Sequence, residues 1–287
     1  MLNQTQDNKA LFYCQSQAIC ASDIRQILIS SGAIDCDILF FHTSLNFGFP
    51  NPQLRRSEIL EHLSSILYGL NVKTLIMPSY TFSFCAGLDF NPIKSKSPMG
   101  TLNEYLRLKH GWERSIDPLM SNILFGQEKG LIRNIGKESV GSQSTFDLLS
   151  SLDATVKFCF LGPRIHECFT YMHYLEWTEQ VPYRYNFNFK GTIDLSDSRY
   201  EDSYSLFIRD ENVEAGDGAR IYENMLVERE IAQRTFIGSG AISIVELKKS
   251  RSIYCDLLRT SPNFFIQEIF KKPKQSTYFQ PRKMVAL

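Results

Sequence analysis

The chain has 287 residues, 43% of them hydrophobic, which is enough to bury a substantial core. Lys plus Arg and Asp plus Glu number 31 each, so no overall field draws the protein to nucleic acid or to a membrane surface. Seven cysteines stand at positions 14, 20, 36, 85, 159, 168 and 255 without a Cys-x-x-Cys pair, which argues against a disulfide framework and against a standard zinc site.

The N-terminus lacks a basic start followed by an apolar stretch, and no apolar run approaches the ~20 residues that span a bilayer. The expectation is a soluble cytoplasmic protein. Residues 1–20 are polar and show no clear element. Ser22 to Leu28 reads as a capped helix, and Asp37 to Phe41 as a short buried strand, followed by the polar turn His42-Thr43-Ser44-Leu45. Ile59, Leu60, Leu63, Ile66, Leu67 and Leu70 fall at helical spacing after Ser57, and Thr74 to Met77 is a second strand ended by Pro78. A Pro/Ser/Lys loop covers Asp89 to Pro98, and Gly100-Thr101 opens a helix over Leu102 to Leu108. Ser121 to Phe125 is a strand, Ser144 starts a helix to about Leu152, and Val156 to Leu161 is a buried strand stopped by Gly162-Pro163.

Beyond Tyr183 the character changes. Tyr183 to Phe189 alternates aromatic and polar residues as a half-exposed strand does. The acids Asp194, Asp197, Glu201, Asp202, Asp210, Glu211, Glu214 and Asp217 read as a solvated insertion. Ile221 to Phe236 reads as a helix, Ala241 to Leu247 as a last strand, and Lys271, Lys272 and Lys274 as a solvated basic tail. Strand and helix alternate through about residue 180 without an internal repeat. The pattern predicts an α/β fold, layered α/β/α around a central, largely parallel or mixed sheet, with a smaller C-terminal β/α portion. The expected organisation is one domain over 1–287, with a core at 22–182 and a second portion at 183–287.

The segment most suggestive of chemistry is Leu161-Gly162-Pro163-Arg164-Ile165-His166-Glu167-Cys168-Phe169-Thr170-Tyr171-Met172-His173-Tyr174-Leu175-Glu176. Thr170 suits the cap of a helix, which puts His173 in the first turn and Glu176 one turn on. The positive end of the helix dipole disfavours the imidazolium there, and a nearby carboxylate orients the ring, as a general base requires. On spacing alone such a pair is more often a solvated or structurally satisfied one. Neither Gly-x-Ser-x-Gly, Gly-x-Gly-x-x-Gly nor a P-loop is present, which removes ordinary hydrolase, dinucleotide and NTPase readings.

Five segments, in order, carry a resemblance. They are His42-Thr43-Ser44-Leu45, Thr74 to Phe82, Ser97-Pro98-Met99-Gly100, Arg114 to Ser121, and Thr170 to Glu176, with Gly141-Ser142-Gln143-Ser144 as a further turn. Together, over residues 38 to 190, they resemble the aminoglycoside 3-N-acetyltransferase family, a CoA-dependent family distinct from the general GNAT fold. The resemblance implies acyl transfer from a CoA thioester to an amino group on a sugar, by direct attack in a ternary complex. It makes His173 the base, Glu176 its carboxylate, and Thr170, with the turns at Thr43-Ser44 and Thr81, a source of donors for the tetrahedral oxygen. CoA contacts are expected at His42, Thr43, Ser44, Thr81, Met99, Gly100, Arg114 and Ser115, and acceptor contacts at Tyr80, Asp117, Tyr183, whose ring could stack on a sugar face, and Arg184. The 22–182 core then holds the CoA and catalytic motifs, and 183–287 the acceptor side. No cofactor is permanently bound and acyl-CoA is a co-substrate; a homodimer is compatible with the reading.

Asp117 and Met120 replace two histidines of the family's usual Arg-Ser-x-His-Pro-x-His-Ser segment. With the neutral net charge, this favours a biosynthetic branch that acylates a nucleotide-linked sugar such as a dTDP-4-amino-4,6-dideoxyhexose, whose pyrophosphate would want Arg184 or Lys190. The alternatives are an aminoglycoside 3-N-acetyltransferase of antibiotic resistance and a non-catalytic CoA- or sugar-binding protein. A further enzymatic alternative makes Cys168 a nucleophile activated by His166 or His173. A metal site from His166, Glu167, Cys168 and His173 lacks standard spacing. Glu223 is a second candidate for the carboxylate behind His173.

Overall fold

The structure, a computed structural model, describes residues 8–269; the basic stretch at 271–274 lies outside them. The unpatterned N-terminal residues form a hairpin of β1 (Ala10–Cys14) and β2 (Gln17–Cys20). It runs directly into α1 (Ala21–Ser30), whose first turn is closed by Asp23 accepting from the Cys20 N–H. β3 (Ile38–Thr43), α2 (Arg56–Gly69) and β5 (Thr74–Pro78) follow the hydrophobic periodicity closely, and between β3 and α2 the short, exposed β4 (Phe49–Pro50) pairs with β1. Next come α3 (Thr101–Arg107), β6 (Glu113–Arg114), β7 (Asn122–Gly126), α4 (Gly130–Arg133), α5 (Thr145–Ser151) and β8 (Val156–Gly162). Two helices separate β8 from the C-terminal part, the single turn α6 (Ile165–Cys168) and then α7 (Tyr171–Thr178).

The C-terminal part departs most from the sequence pattern. The acidic stretch is not an insertion, although its acids do face solvent: Glu201 and Asp202 lie on β10 (Arg199–Arg209), which pairs antiparallel with β9 (Arg184–Asp194) along its whole length. Tyr204 and Ile208 are buried on one face of β10 and Phe207 on the other, and these apolar residues, not the preceding acids, set the element. After β11 (Val213–Ala215), α8 (Gly218–Glu228) is shorter than its expected span to Phe236. Glu230 adopts φ +57° and ends the helix, and β12 (Ala232–Ile237) then pairs with β13 (Gly240–Glu246) across the two-residue turn Gly238-Ser239. α9 (Leu247–Thr260) and β14 (Ile266–Ile269) complete the described chain.

The central sheet has seven strands in the order β12-β13-β8-β3-β5-β7-β6. β8, β3 and β5 are parallel, and antiparallel strands flank them on both sides, so the sheet is mixed. Alternate residues of the buried strands enter two separate cores. Phe40, Ile76, Phe158 and Phe160 face α5, α7, α8 and α9, with Phe146, Tyr171, Tyr222 and Tyr254. Leu39, Phe41, Leu75, Met77 and Leu161 face α1, α2 and α3, with Ile24, Leu63 and Leu102. This is the layered α/β/α arrangement that the alternation predicts. The chain reverses its direction of winding at β3, which has β5 on one side and β8 on the other. A crevice opens beyond the carboxyl ends of such strands.

Candidate active site

Three strand ends deliver the central group of side chains. His42 lies at the end of β3, Tyr80 two residues beyond β5, and Thr170 on the segment that leaves β8 through α6. The Thr170 hydroxyl stands 3.0 Å from the Tyr80 hydroxyl and 3.1 Å from His42 Nε2. Thr170 therefore does not cap α7 with its side chain, as its position suggests; its backbone is already helical (φ −64°, ψ −21°) and its oxygen is turned toward the sheet. Burial pushes the His42 ring down to about 3, so it is neutral, and burial pushes the Tyr80 phenol up.

α7 carries the second group. The His173 N–H donates to the Thr170 carbonyl at 3.1 Å, which places the ring one turn from the hydroxyl just described. His173 Nδ1 lies 3.0 Å from Glu176 Oε2, as a spacing of three on a helix allows. Glu176 is 3% exposed, whereas the His173 side chain is 37% exposed. The ring therefore stands between a buried carboxylate and solvent. Arg184 Nε pairs with Glu176 Oε2 at 2.8 Å, and the Tyr183 hydroxyl donates to Oε1 at 2.9 Å. Burial alone would raise the Glu176 carboxyl, but His173, Arg184 and Tyr183 outweigh it and hold the group below the usual range. Desolvation and then the Arg184 charge lower His173, against the opposing pull of Glu176. A neutral ring backed by an ionised carboxylate can accept a proton and steady the charge it gains.

Tyr183 and Arg184, expected at the acceptor, are thus bound to the carboxylate behind His173. Glu223 takes no part there. It is fully buried in a separate cluster, accepting from Arg164 at 2.7 Å, from Arg234 at 2.6 Å and from His166 through both ring and backbone. Sequence reasoning missed this cluster because α6, α8 and β12 bring its members together across about 70 residues. Cys168 contributes its thiol to the Arg164 carbonyl, and burial pushes that thiol up to about 12, far from thiolate at neutral pH. Among the described residues no group of three His, Cys, Asp or Glu side chains is placed to hold a metal ion.

Apart from His42, the residues assigned to CoA divide in two. Thr43, Ser44, Met99 and Gly100 share one strand end, where the Thr43 hydroxyl bonds Asn103 on α3 and a Cβ on Gly100 would lie 3.3 Å from the Thr43 carbonyl. Arg114, Ser115 and Thr81 serve instead as internal braces. Arg114 donates to Ser121 Oγ and to the carbonyls of Ser79, Pro92 and Ser95, the Ser115 hydroxyl accepts from Asn122 N–H, and Thr81 donates to the Pro118 carbonyl. Asp117 is 4% exposed, and its Oδ1 accepts from two backbone N–H groups and from Ser139. A cleft of about 340 Å³ lies between the 137–143 loop and the β9–β10 hairpin, lined by Lys137, Glu138, Gln143, Asn188 and Ser203. None of the grouped site residues lines it.

A family model described as aminoglycoside 3-N-acetyltransferase matches residues 73–258. Among solved structures, the aminoglycoside acetyltransferase AAC(3)-Xa superposes with a TM-score of 0.68 at 18% identity, covering 84% of this chain and 92% of that one. AAC-IIIb in its binary complex with CoASH gives 0.69 at 15% identity, covering 84% and 96%. The YokD protein from Bacillus subtilis gives 0.65 at 15% identity, covering 83% and 94%. At these identities the superpositions establish a shared fold. No curated protein matches the chain in sequence.

Proposed function

The chain belongs to the aminoglycoside 3-N-acetyltransferase family and is an acetyltransferase, and from that premise we propose that it moves an acyl group from acyl-CoA to the amine of an amino sugar by direct attack, with His173 as general base. The observation that carries this reading is the pairing of the part-exposed His173 ring with the buried, ionised Glu176 at 3.0 Å, beside the meeting point of three strand ends. A sugar amine must lose a proton as it attacks. His173 Nε2 takes it, Glu176 steadies the imidazolium, and the Thr170 hydroxyl supplies a donor for the oxygen of the tetrahedral intermediate. The C–N bond forms, the C–S bond breaks, and the proton passes from His173 to the departing thiolate. The polar strand end at Thr43, Ser44, Met99 and Gly100 suits the CoA side, and 183–287 the acceptor side. The elevated Cys168 thiol weighs against an acyl-enzyme.

Two acceptors divide the reading. The family supports an aminoglycoside. Three engaged carboxylates support an acceptor with a single amine, such as a nucleotide-linked amino sugar: Glu176 is neutralised by Arg184, Asp117 is spent on three internal donors, and Asp202 is paired with Lys137. Several free carboxylates would be needed to hold a polycation. The test is thiol release from acetyl-CoA, as kcat/KM, with a panel of dTDP-linked amino sugars against a panel of aminoglycosides. The single-amine reading predicts the first panel ahead by tenfold or more. An equal margin for aminoglycosides makes this a resistance-type enzyme, and release with neither panel removes the amino-sugar proposal.

A further inference from the structure

The hydroxyl chain behind Thr170 has a direction that the positions of its protons decide. His42 is 3% exposed and lies among the rings of Phe40, Phe158, Phe160 and Phe169, stacked on Phe160 at 5.0 Å. Its Nε2 faces the Thr170 oxygen, while its Nδ1 is buried without a hydrogen-bond partner. A neutral imidazole has one proton for its two nitrogens. A proton on Nδ1 would be a buried donor with nothing to accept it, whereas a bare Nδ1 is an under-satisfied acceptor, the commoner and cheaper defect. The proton therefore belongs on Nε2, donating to Thr170 Oγ1.

Tyr80 obeys the same argument. Its side chain is 2% exposed, and the Thr170 oxygen, 3.0 Å away, is the partner for its O–H. With both neighbours donating, the two lone pairs of Thr170 Oγ1 are filled, and its own proton must point elsewhere. Thr170 is partly exposed at the start of the helix that carries His173, so elsewhere is its solvent-facing side. Two donors feeding one hydroxyl also polarise its O–H bond and strengthen it as a donor.

We propose that His42 and Tyr80 are positioning residues that hold the Thr170 hydroxyl with its proton directed at the oxygen of the tetrahedral intermediate, which rests on the acyl-transfer reading above. As the amine attacks, the C=O electron pair moves onto that oxygen and the Thr170 O–H donates to it. The amine proton goes to His173, and collapse of the intermediate expels the CoA thiolate. His42, assigned to CoA from the sequence, and Tyr80, assigned to the acceptor, then act on the reaction through Thr170 without touching either substrate.

A double-mutant cycle tests the arrangement. Thr170→Val should lower kcat by about 10²-fold, the usual loss for one such donor, with little change in either KM. Tyr80→Phe should lower kcat about tenfold in the native background and no further in the Thr170→Val background, because both changes remove one device. Independent losses that multiply would overturn the proposal, as would a Thr170→Val enzyme with native kcat. Nitrogen NMR of imidazole-labelled protein reads the same device without activity: the wild type should show His42 protonated on Nε2 and bare on Nδ1. The opposite tautomer turns the Thr170 proton inward and refutes the assignment whether or not the variants fold. Wild-type protein that releases no thiol with any amine defeats the acyl-transfer reading instead, and leaves the NMR result to stand by itself.

Discussion

His173 Nδ1 has two neighbours that ask opposite things of it. Glu176 Oε2 at 3.0 Å can only accept, and Arg184 Nη2 at 3.1 Å can only donate. One ring nitrogen cannot satisfy both. The carboxylate is held ionised by its surroundings, so Nδ1 carries the proton and donates to Glu176, Arg184 acts on the ring through its charge, and Nε2 is left bare, as the proposed base requires. The two neighbours then pull the ring's pKa in opposite directions: Arg184 lowers it and Glu176 raises it. Protonated His173 is inactive as a base, so kcat/KM should fall with acid along a limb set below the ordinary imidazole range. Removing the carboxylate in Glu176→Gln should move that limb to lower pH, and removing the charge in Arg184→Met should move it to higher pH. The pH profiles of the two variants check this. Shifts in the same direction, or none, would contradict the assignment of roles.

At the scale of elements, the approach of β8 to the turn after β3 holds the strand ends together. Gly162 ends β8 at φ +105°, and a Cβ there would lie 1.6 Å from the Ser44 carbonyl. Only glycine fits this crossing. Gly162→Ala should therefore cost at least about 2 kcal/mol through backbone strain and overlap, and misplace His42 relative to Thr170. Denaturant unfolding measures the first effect; an unchanged midpoint would show that the crossing is slack. The strands and helices of the layered core were legible because their apolar residues recur at the period of the element, as in Ile59 to Leu70. The His173–Glu176 pair was legible because both lie on one helix, three residues apart. β10 was not read because its acids mask the run Tyr204 to Ile208, and β12 was absorbed into a helix although the Gly238-Ser239 turn marks a hairpin. The contacts of Thr170 could not be read from local pattern: they join side chains separated by 90 and 128 residues, and only the sheet order brings them together.

For the whole molecule, the reversal of winding at β3 explains why His42, Tyr80 and Thr170 meet in one place. The parallel strands β3, β5 and β8 all end at the same edge, and each contributes a residue or a connection to it. Among the described residues no helix is long and apolar enough to cross a membrane. In the proposed reaction His173, oriented by Glu176, removes the amine proton during acyl transfer from CoA. Its most direct test is the pH dependence of amine-dependent thiol release by His173→Ala, alongside direct measurement of CoA binding. The variant should bind CoA close to the wild type, turn over slower by at least about 10²-fold, and show no acid limb from the imidazole. A variant that binds CoA and keeps near-native turnover with the wild-type limb would contradict this role.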